Sequence, residues 1–307
     1  MKLEPATRPT MYFFGVTTAE SSIMRIFPAW AKALGLGDAH LLGIDFAIND
    51  DPEKYRAAVE HIKTDPLSLG ALVTTHKIDV MQAAGDLFDG FDDFAQASSE
   101  ISCIFKRDGA LIGGARDDES SRLCLDLLLG EHYWQKYPAE VLMLGSGGAA
   151  VACSWALLHP DLGENRPRKL TVTDIHPERL EHLEKIINPL GNIPCLETVC
   201  TDNGNELLQR LPPHSMVINA TGMGKDRPGS PLTDTAIWPE HAVAWEFNYR
   251  GERQFLKQAR NHAGITEDGW RYFVFGWTRV MEAVFDHPID SSGPDFEALS
   301  EIAAALR

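Results

Sequence analysis

Glu140-Val-Leu-Met-Leu-Gly145-Ser-Gly147-Gly-Ala-Ala150 is an apolar run that breaks into glycines and then resumes as an apolar, helix-like segment. Gly145, Gly147 and Ala150 meet the spacing G-x-G-x-x-A of a dinucleotide turn. The first glycine permits the tight turn, the second lets the backbone approach a pyrophosphate, and the small third residue lets the helix pack against its strand. Free N–H groups and the partial positive charge at the helix start then face the phosphates. Ser146, Gly148 and Ala149 complete the expected cofactor-binding turn. Val141 to Leu158 carries no charge over 18 residues, which raises a membrane span as the alternative. The cluster Gly145 to Gly148 inside that run favours a strand-to-helix turn.

Lys169-Leu-Thr-Val-Thr-Asp174 reads as a β-branched strand ending in an acid, 26 residues beyond Gly148. His159 to Arg168, with two prolines and a glycine, reads as a long connection that absorbs the extra spacing. A carboxylate at the end of the second strand accepts hydrogen bonds from ribose hydroxyls and repels a 2′-phosphate, so Asp174 predicts NAD in preference to NADP. The competing role for Asp174 is to cap the helix expected over Pro177 to Ile187.

At 307 residues the chain exceeds the usual size of a single core, which predicts two domains. A formal charge of −16 argues against nucleic acid and anionic membranes as partners. Cysteines 103, 124, 153, 195 and 200 form no C-x-x-C pair and read as buried thiols of a reducing compartment. Met1-Lys-Leu-Glu-Pro resembles no secretory leader, so the expected location is the cytoplasm. No H-E-x-x-H and no zinc-spaced Cys/His cluster occurs, and no metal is expected. A monomer or homodimer acting on a small molecule is the expected state.

Strand and helix patterns alternate from Met11–Gly15 through Ile23–Leu36, Ala39–Ala47, Pro52–Asp65, Gly70–Thr75 and Asp79–Phe88 to Ile101–Lys106. The turn Arg107-Asp-Gly-Ala joins Ile101–Lys106 to Leu111–Ile112 as a hairpin. The class is α/β with a mainly parallel sheet flanked by helices. Asp117 to Leu129 reads as a helix leading into a Rossmann-type, doubly wound half, which continues through Met216–Ala220 and Ala242–Phe247. The expected boundaries are 1–116 for a substrate-binding domain, with 269–307 returning to it, and 117–268 for the dinucleotide-binding domain.

The order of motifs resembles the shikimate/quinate dehydrogenase family over nearly the whole chain. Gly15-Val-Thr-Thr-Ala-Glu-Ser21-Ser22-Ile23 stands where that family has a glycine and an S-x-S pair that holds the substrate carboxylate. Leu72-Val73-Thr74-Thr75-His76-Lys77 resembles its V-T-x-P-x-K segment, and Asp108-Gly-Ala-Leu-Ile-Gly-Gly-Ala115-Arg116-Asp117 its D-G-x-x-x-G-x-N-T-D segment. Asn219-Ala220-Thr221-Gly222-Met223-Gly224 matches the N-A-T-x-x-G loop that borders the nicotinamide. Trp245-Glu-Phe-Asn248-Tyr249 stands at the D-x-x-Y strand, and Asp268-Gly269 at the D-G turn.

The resemblance implies an NAD-dependent dehydrogenase of a cyclic polyol or hydroxy acid. It makes Lys77 and Asp117 the catalytic pair, and Ser21, Ser22, Thr74, Thr75, Ser102, Arg116, Asn248 and Tyr249 the substrate-binding set. Asn219 to Met223 and Gly269 join the cofactor set. The chemistry is coherent on its own terms: oxidising an alcohol needs a proton acceptor, which a partly buried lysine supplies, and a neighbouring carboxylate orients it. The substrate-holding positions depart from the pattern. Ile23 replaces the second serine, Thr75 the proline, Ile101 an asparagine, Ala115-Arg116 the N-T pair, Asn248 or Tyr249 the tyrosine, and Gly276 a glutamine. Such changes leave buried polar groups paired differently and shift specificity. Two alternatives share the architecture: a methylene-tetrahydrofolate-dehydrogenase-like enzyme, and a nucleotide-responsive binding protein without turnover.

Overall fold

The computed structural model describes residues 3–191, 196–225 and 227–307. Cys195 and the N-terminal Met1 and Lys2 lie outside them. The chain forms two compact units, residues 1–116 with 274–307, and residues 117–273.

The first unit opens with β1 (Thr10–Gly15), α1 (Ile23–Ala33), β2 (His40–Asp45), α2 (Pro52–Thr64), β3 (Ser68–Val73) and α3 (Lys77–Ala84). In α1 the buried residues Ile23, Ile26, Phe27, Trp30 and Ala31 recur at helical spacing, and Gly35 and Gly37, both with positive φ, close the helix. Proline at the first turn of α2 and the Asp51 cap, which accepts from the Glu53 N–H, fix the start of that helix. Helix α3 begins at Lys77 rather than at Asp79, which puts the lysine on its first turn.

Next come β4 (Gly90–Phe91), α4 (Asp93–Ser98), β5 (Cys103–Arg107) and β6 (Ala110–Gly114), giving a sheet of order β2-β1-β3-β5-β6-β4. Strands β1, β2 and β3 are parallel, whereas β5 runs antiparallel to both β3 and β6. The hairpin explains the reversal: Asp108 and Gly109 both adopt positive φ, as a two-residue I′ turn requires. The sheet packs Tyr12, Phe14, Phe46, Tyr55 and Val73 into one core.

The second unit contains α5 (Asp117–Leu129), α6 (Tyr133–Lys136), β7 (Val141–Leu144), α7 (Gly148–Leu158), β8 (Leu170–Asp174) and α8 (Pro177–Ile187). It continues with β9 (Leu196–Cys200), α9 (Asn205–Gln209), β10 (Met216–Asn219), β11 (Val243–Glu246), α10 (Gln254–Ala259) and β12 (Ile265–Glu267). All six strands are parallel, in the order β12-β11-β10-β7-β8-β9. The order reverses between β7 and β10, the switch point at which such sheets bind ligands outside their carboxyl ends. The chain closes with α11 (Trp270–Phe285) and α12 (Pro294–Ala305); in the first unit, Trp30 of α1 donates its indole N–H to the Leu299 carbonyl of α12.

The uncharged run therefore divides into the strand β7 and the buried helix α7, and no helix among the described residues is long and apolar enough to cross a membrane. Cys103, Cys124 and Cys153 are buried, but Cys200 is exposed on the edge strand β9, which corrects the expectation of uniformly buried thiols. Gly145 has φ +99°, and a Cβ built there would stand 2.8 Å from the Ala220 carbonyl oxygen. Gly145→Ala is therefore expected to destabilise the second unit by about 1–3 kcal/mol, read as a lower midpoint in thermal or urea unfolding. An unchanged midpoint would refute this contact as a constraint.

Candidate functional site

In the second unit the turn from β7 to α7 is built as a cradle. Gly145 lies against Ala220 and Thr221, while open space remains where a Gly147 side chain would project. Ala150 is fully buried beneath the turn. The exposed Gly148 and half-buried Ala149 are the first two residues of α7, whose N-terminus carries the unsatisfied N–H groups. This geometry fits a pyrophosphate.

Asp174, at the end of β8, accepts from the Ser146 N–H at 2.9 Å and the Ser146 hydroxyl at 3.0 Å through Oδ2, and from the His176 N–H at 3.0 Å through Oδ1. Burial pushes this carboxyl upward, but those hydrogen bonds and the nearby Arg179 guanidinium hold it below the usual carboxylate range. Asp174 is thus engaged in joining the dinucleotide turn to the entry of α8.

The loop after β10 is organised by side chains. Asn219, with no exposed surface, accepts from the Thr221 N–H and hydroxyl through Oδ1 and donates to Glu246 at 2.8 Å. The Thr221 hydroxyl in turn accepts from the Met223 N–H. Asn248 donates its amide to Glu246 at 2.7 Å and to the Met223 carbonyl at 3.0 Å, so it serves this loop. Tyr249 packs with the rings of Trp270 and Phe273. Gly269 is required by packing: a Cβ there would collide with the Phe247 carbonyl oxygen.

Asp117 is the first residue of α5, where the helix dipole favours a carboxylate. The Tyr272 hydroxyl donates to it at 3.3 Å, and burial pushes that phenol well above its ordinary value, so it remains a donor.

In the first unit Lys77 opens α3, and its carbonyl accepts from the Ile101 N–H. Ser21 and Ser22 are half-buried at the entry of α1, whereas Ile23 has no exposed surface and belongs to the core. The Thr74 hydroxyl donates to the Phe14 carbonyl, and Thr75 is exposed. Ser102 is buried, and its oxygen accepts from the Arg116 N–H at 2.9 Å. The Arg116 guanidinium lies 3.5 Å from Asp92 and 5.6 Å above the Phe105 ring. Sequence reasoning passed over Asp92 and Glu246, although an acid ending an apolar strand was a visible signal for the latter.

No protein-family model matches the chain. The shikimate dehydrogenase (NADP(+)) of Symbiobacterium thermophilum is 28% identical over 249 residues, 80% of each chain. That of Xanthomonas campestris pv. campestris is 28% identical over 215 residues, 70% of this chain and 67% of its own. The chain is thus similar, at 28% identity, to shikimate dehydrogenases over most of its length. Solved structures carry the same fold: Thermus thermophilus shikimate 5-dehydrogenase in complex with NADP(H) and shikimate (TM-score 0.71, 19% identity, 97% and 99% of the two chains) and Corynebacterium glutamicum quinate dehydrogenase in complex with NAD (0.75, 19%, 97% and 99%). The ligand-free 5-ketofructose reductase of Gluconobacter sp. strain CHM43 superposes with TM-score 0.73 at 20% identity, over 98% and 99% of the chains.

The expectation of NAD is corrected by these relatives, which are named for NADP(+), and by the Thermus thermophilus complex with NADP(H). Asp174 is engaged with Ser146 and His176 instead of standing free for a ribose, and the nearby Arg179 guanidinium offsets its charge.

Proposed function

We propose that this chain is a divergent member of the shikimate/quinate dehydrogenase family, an NADP(H)-dependent dehydrogenase that interconverts a secondary alcohol of a cyclic polyol or hydroxy acid with its ketone. The carrying observation is that Lys77 and Asp117 each open a helix, α3 and α5, at the motif positions of a chain whose curated relatives are named shikimate dehydrogenase. NADP(H), when bound, supplies or accepts the hydride. The Gly145–Ala150 turn and the start of α7 hold its pyrophosphate, and Arg179, close to Asp174 on the first turn of α8, takes the 2′-phosphate. Asn219 to Met223 border the nicotinamide. Lys77 takes the hydroxyl proton on oxidation and returns it on reduction, while Asp117, held by Tyr272, orients that hydroxyl.

For the substrate, Ser21, Ser22, Thr75, Tyr249 and the Ser102 hydroxyl proton remain candidates for contact. The core position of Ile23 favours a second reading, a neutral polyol or ketose, because one hydroxyl of the carboxylate-binding pair is absent. The fold shared with a 5-ketofructose reductase is compatible with it.

Lys77→Ala is expected to lower kcat by about 10²–10⁴-fold with little change in NADP(H) affinity, and Asp117→Asn to lower it by a comparable or smaller factor. Steady turnover of cyclic polyols followed by NADPH absorbance checks this. Parental turnover in the lysine variant would defeat the assignment.

Arg179→Ala is expected to raise KM for NADP about 10–100-fold while leaving that for NAD nearly unchanged, as loss of a charge-assisted phosphate contact predicts. A parent enzyme with higher kcat/KM for NAD than for NADP contradicts the cofactor assignment.

Arg116→Ala separates the two substrate readings. If the guanidinium leaves Asp92 to meet an anion, KM for hydroxy acids rises alone, by roughly tenfold or more. An equal KM for acidic and neutral substrates in parent and variant removes Arg116 from the substrate set and leaves the neutral polyol or ketose.

A further inference from the structure

Glu246 ends β11 with no exposed surface, although it is a carboxylate. The partners of its oxygens are N–H donors: the Asn248 backbone N–H at 3.0 Å and side-chain amide at 2.7 Å on Oε1, and the Asn219 amide at 2.8 Å on Oε2. This donor set suits the ionised form, since a carboxylic proton would meet donors where it needs an acceptor. Through the same two asparagines the carboxylate holds the loop after β10: Asn219 fixes Thr221, and Asn248 fixes the Met223 carbonyl. That loop lies on the dinucleotide turn, with Ala220 and Thr221 against Gly145. It also belongs to the β10–β12 half of the sheet, which in a doubly wound fold receives the second mononucleotide. A buried negative charge therefore stands beneath the loop assigned to the nicotinamide. The oxidised ring carries a positive charge and the reduced ring none, and in a water-poor setting that difference is felt.

We propose that Glu246 is a positioning residue whose buried charge, held by Asn219 and Asn248, makes the protein bind NADP⁺ more tightly relative to NADPH. The inference rests on the NADP(H) reading above. Burial pushes the Glu246 carboxyl up to about 7, against the pull of its three N–H bonds and of Arg253. Above that pH the charge is present, and it is lost as pH falls through about 7. Among the described residues, Arg253 is the charge that acts on it, itself paired with Asp268; Tyr272, which packs on the flanking Trp245 and Phe247 rings, remains protonated and hydrogen-bonded to Asp117.

The test is the dissociation constant of each nucleotide form, measured by tryptophan fluorescence or calorimetry without substrate. The ratio Kd(NADPH)/Kd(NADP⁺) is expected to fall on the order of tenfold in Glu246→Gln and to stay within about threefold of the parent in Glu246→Asp, which keeps the charge but repacks the site more. In the parent chain the ratio falls between pH 8 and pH 6, a measurement that needs no variant to fold. Ionisation of the 2′-phosphate is common to both nucleotide forms and cancels in the ratio. An unchanged ratio in Glu246→Gln, an equal fall in both variants, or a pH-independent ratio in the parent overturns the proposal alone. A parent that binds neither nucleotide overturns the dinucleotide reading, and the proposal with it.

Discussion

The second unit depends on one close approach, the backbone of Gly145 against Ala220 and Thr221. Two parallel strands, β7 and β10, leave the sheet side by side, and the turn after one must lie under the loop after the other. Only a residue without Cβ, at φ +99°, allows that contact. Its consequence is that the half-buried loop after β10 starts from polar side chains with no exposed surface, Asn219 and, on the next strand, Glu246, and each of these needs a partner. Asn219, Thr221, Asn248 and Glu246 supply those partners among themselves, so a steric condition at one glycine leads to a buried polar network two strands away.

The same reasoning explains how an acidic chain of formal charge −16 forms a site for phosphates. The attraction is local, made by the N–H groups at the start of α7 and by space beside Gly147, and the distant surface carboxylates are screened. Asp174, the acid nearest the turn, is drawn into its scaffold by Ser146 and His176. A carboxylate at a strand end has several lone pairs and will serve whichever donors lie close. Its role as ribose acceptor or as scaffold is decided by the neighbouring backbone, not by its place in the motif.

Legibility in the sequence followed periodicity and length. Helices α1, α2, α5 and α8 carry helical apolar spacing or capping signals, and β7 with α7 carries the glycine pattern, so each was visible. Strands β4, β9 and β12 were not, since β4 has two residues, β12 three, and β9 mixes polar and apolar positions at an exposed edge. The antiparallel pairing of β5 with β6 was legible in the hairpin turn at Asp108-Gly109, whereas the antiparallel pairing of β5 with β3 was not. In the site, the positions of Lys77 and Asp117 were readable as motif residues. The commitments of Ser102 to the Arg116 N–H and of Arg116 to Asp92 were not, because they join residues 14 and 24 apart through tertiary structure.

Lys77 and Asp117 both open helices, and electrostatics treats them oppositely. On α5, Asp117, Asp118 and Glu119 crowd the positive end of the helix dipole, each favoured there by about 0.3–1 kcal/mol. On α3 the first residue is a cation, disfavoured by a similar amount, and the helix start places Asp79 only two residues later. Stability alone would select an acid or a small cap at position 77. A cation at this end of the helix dipole sets local helix preference against the motif, a conflict between levels of the kind expected at functional positions. The electrostatics of the helix terminus thus adds a physical argument to the role proposed for Lys77.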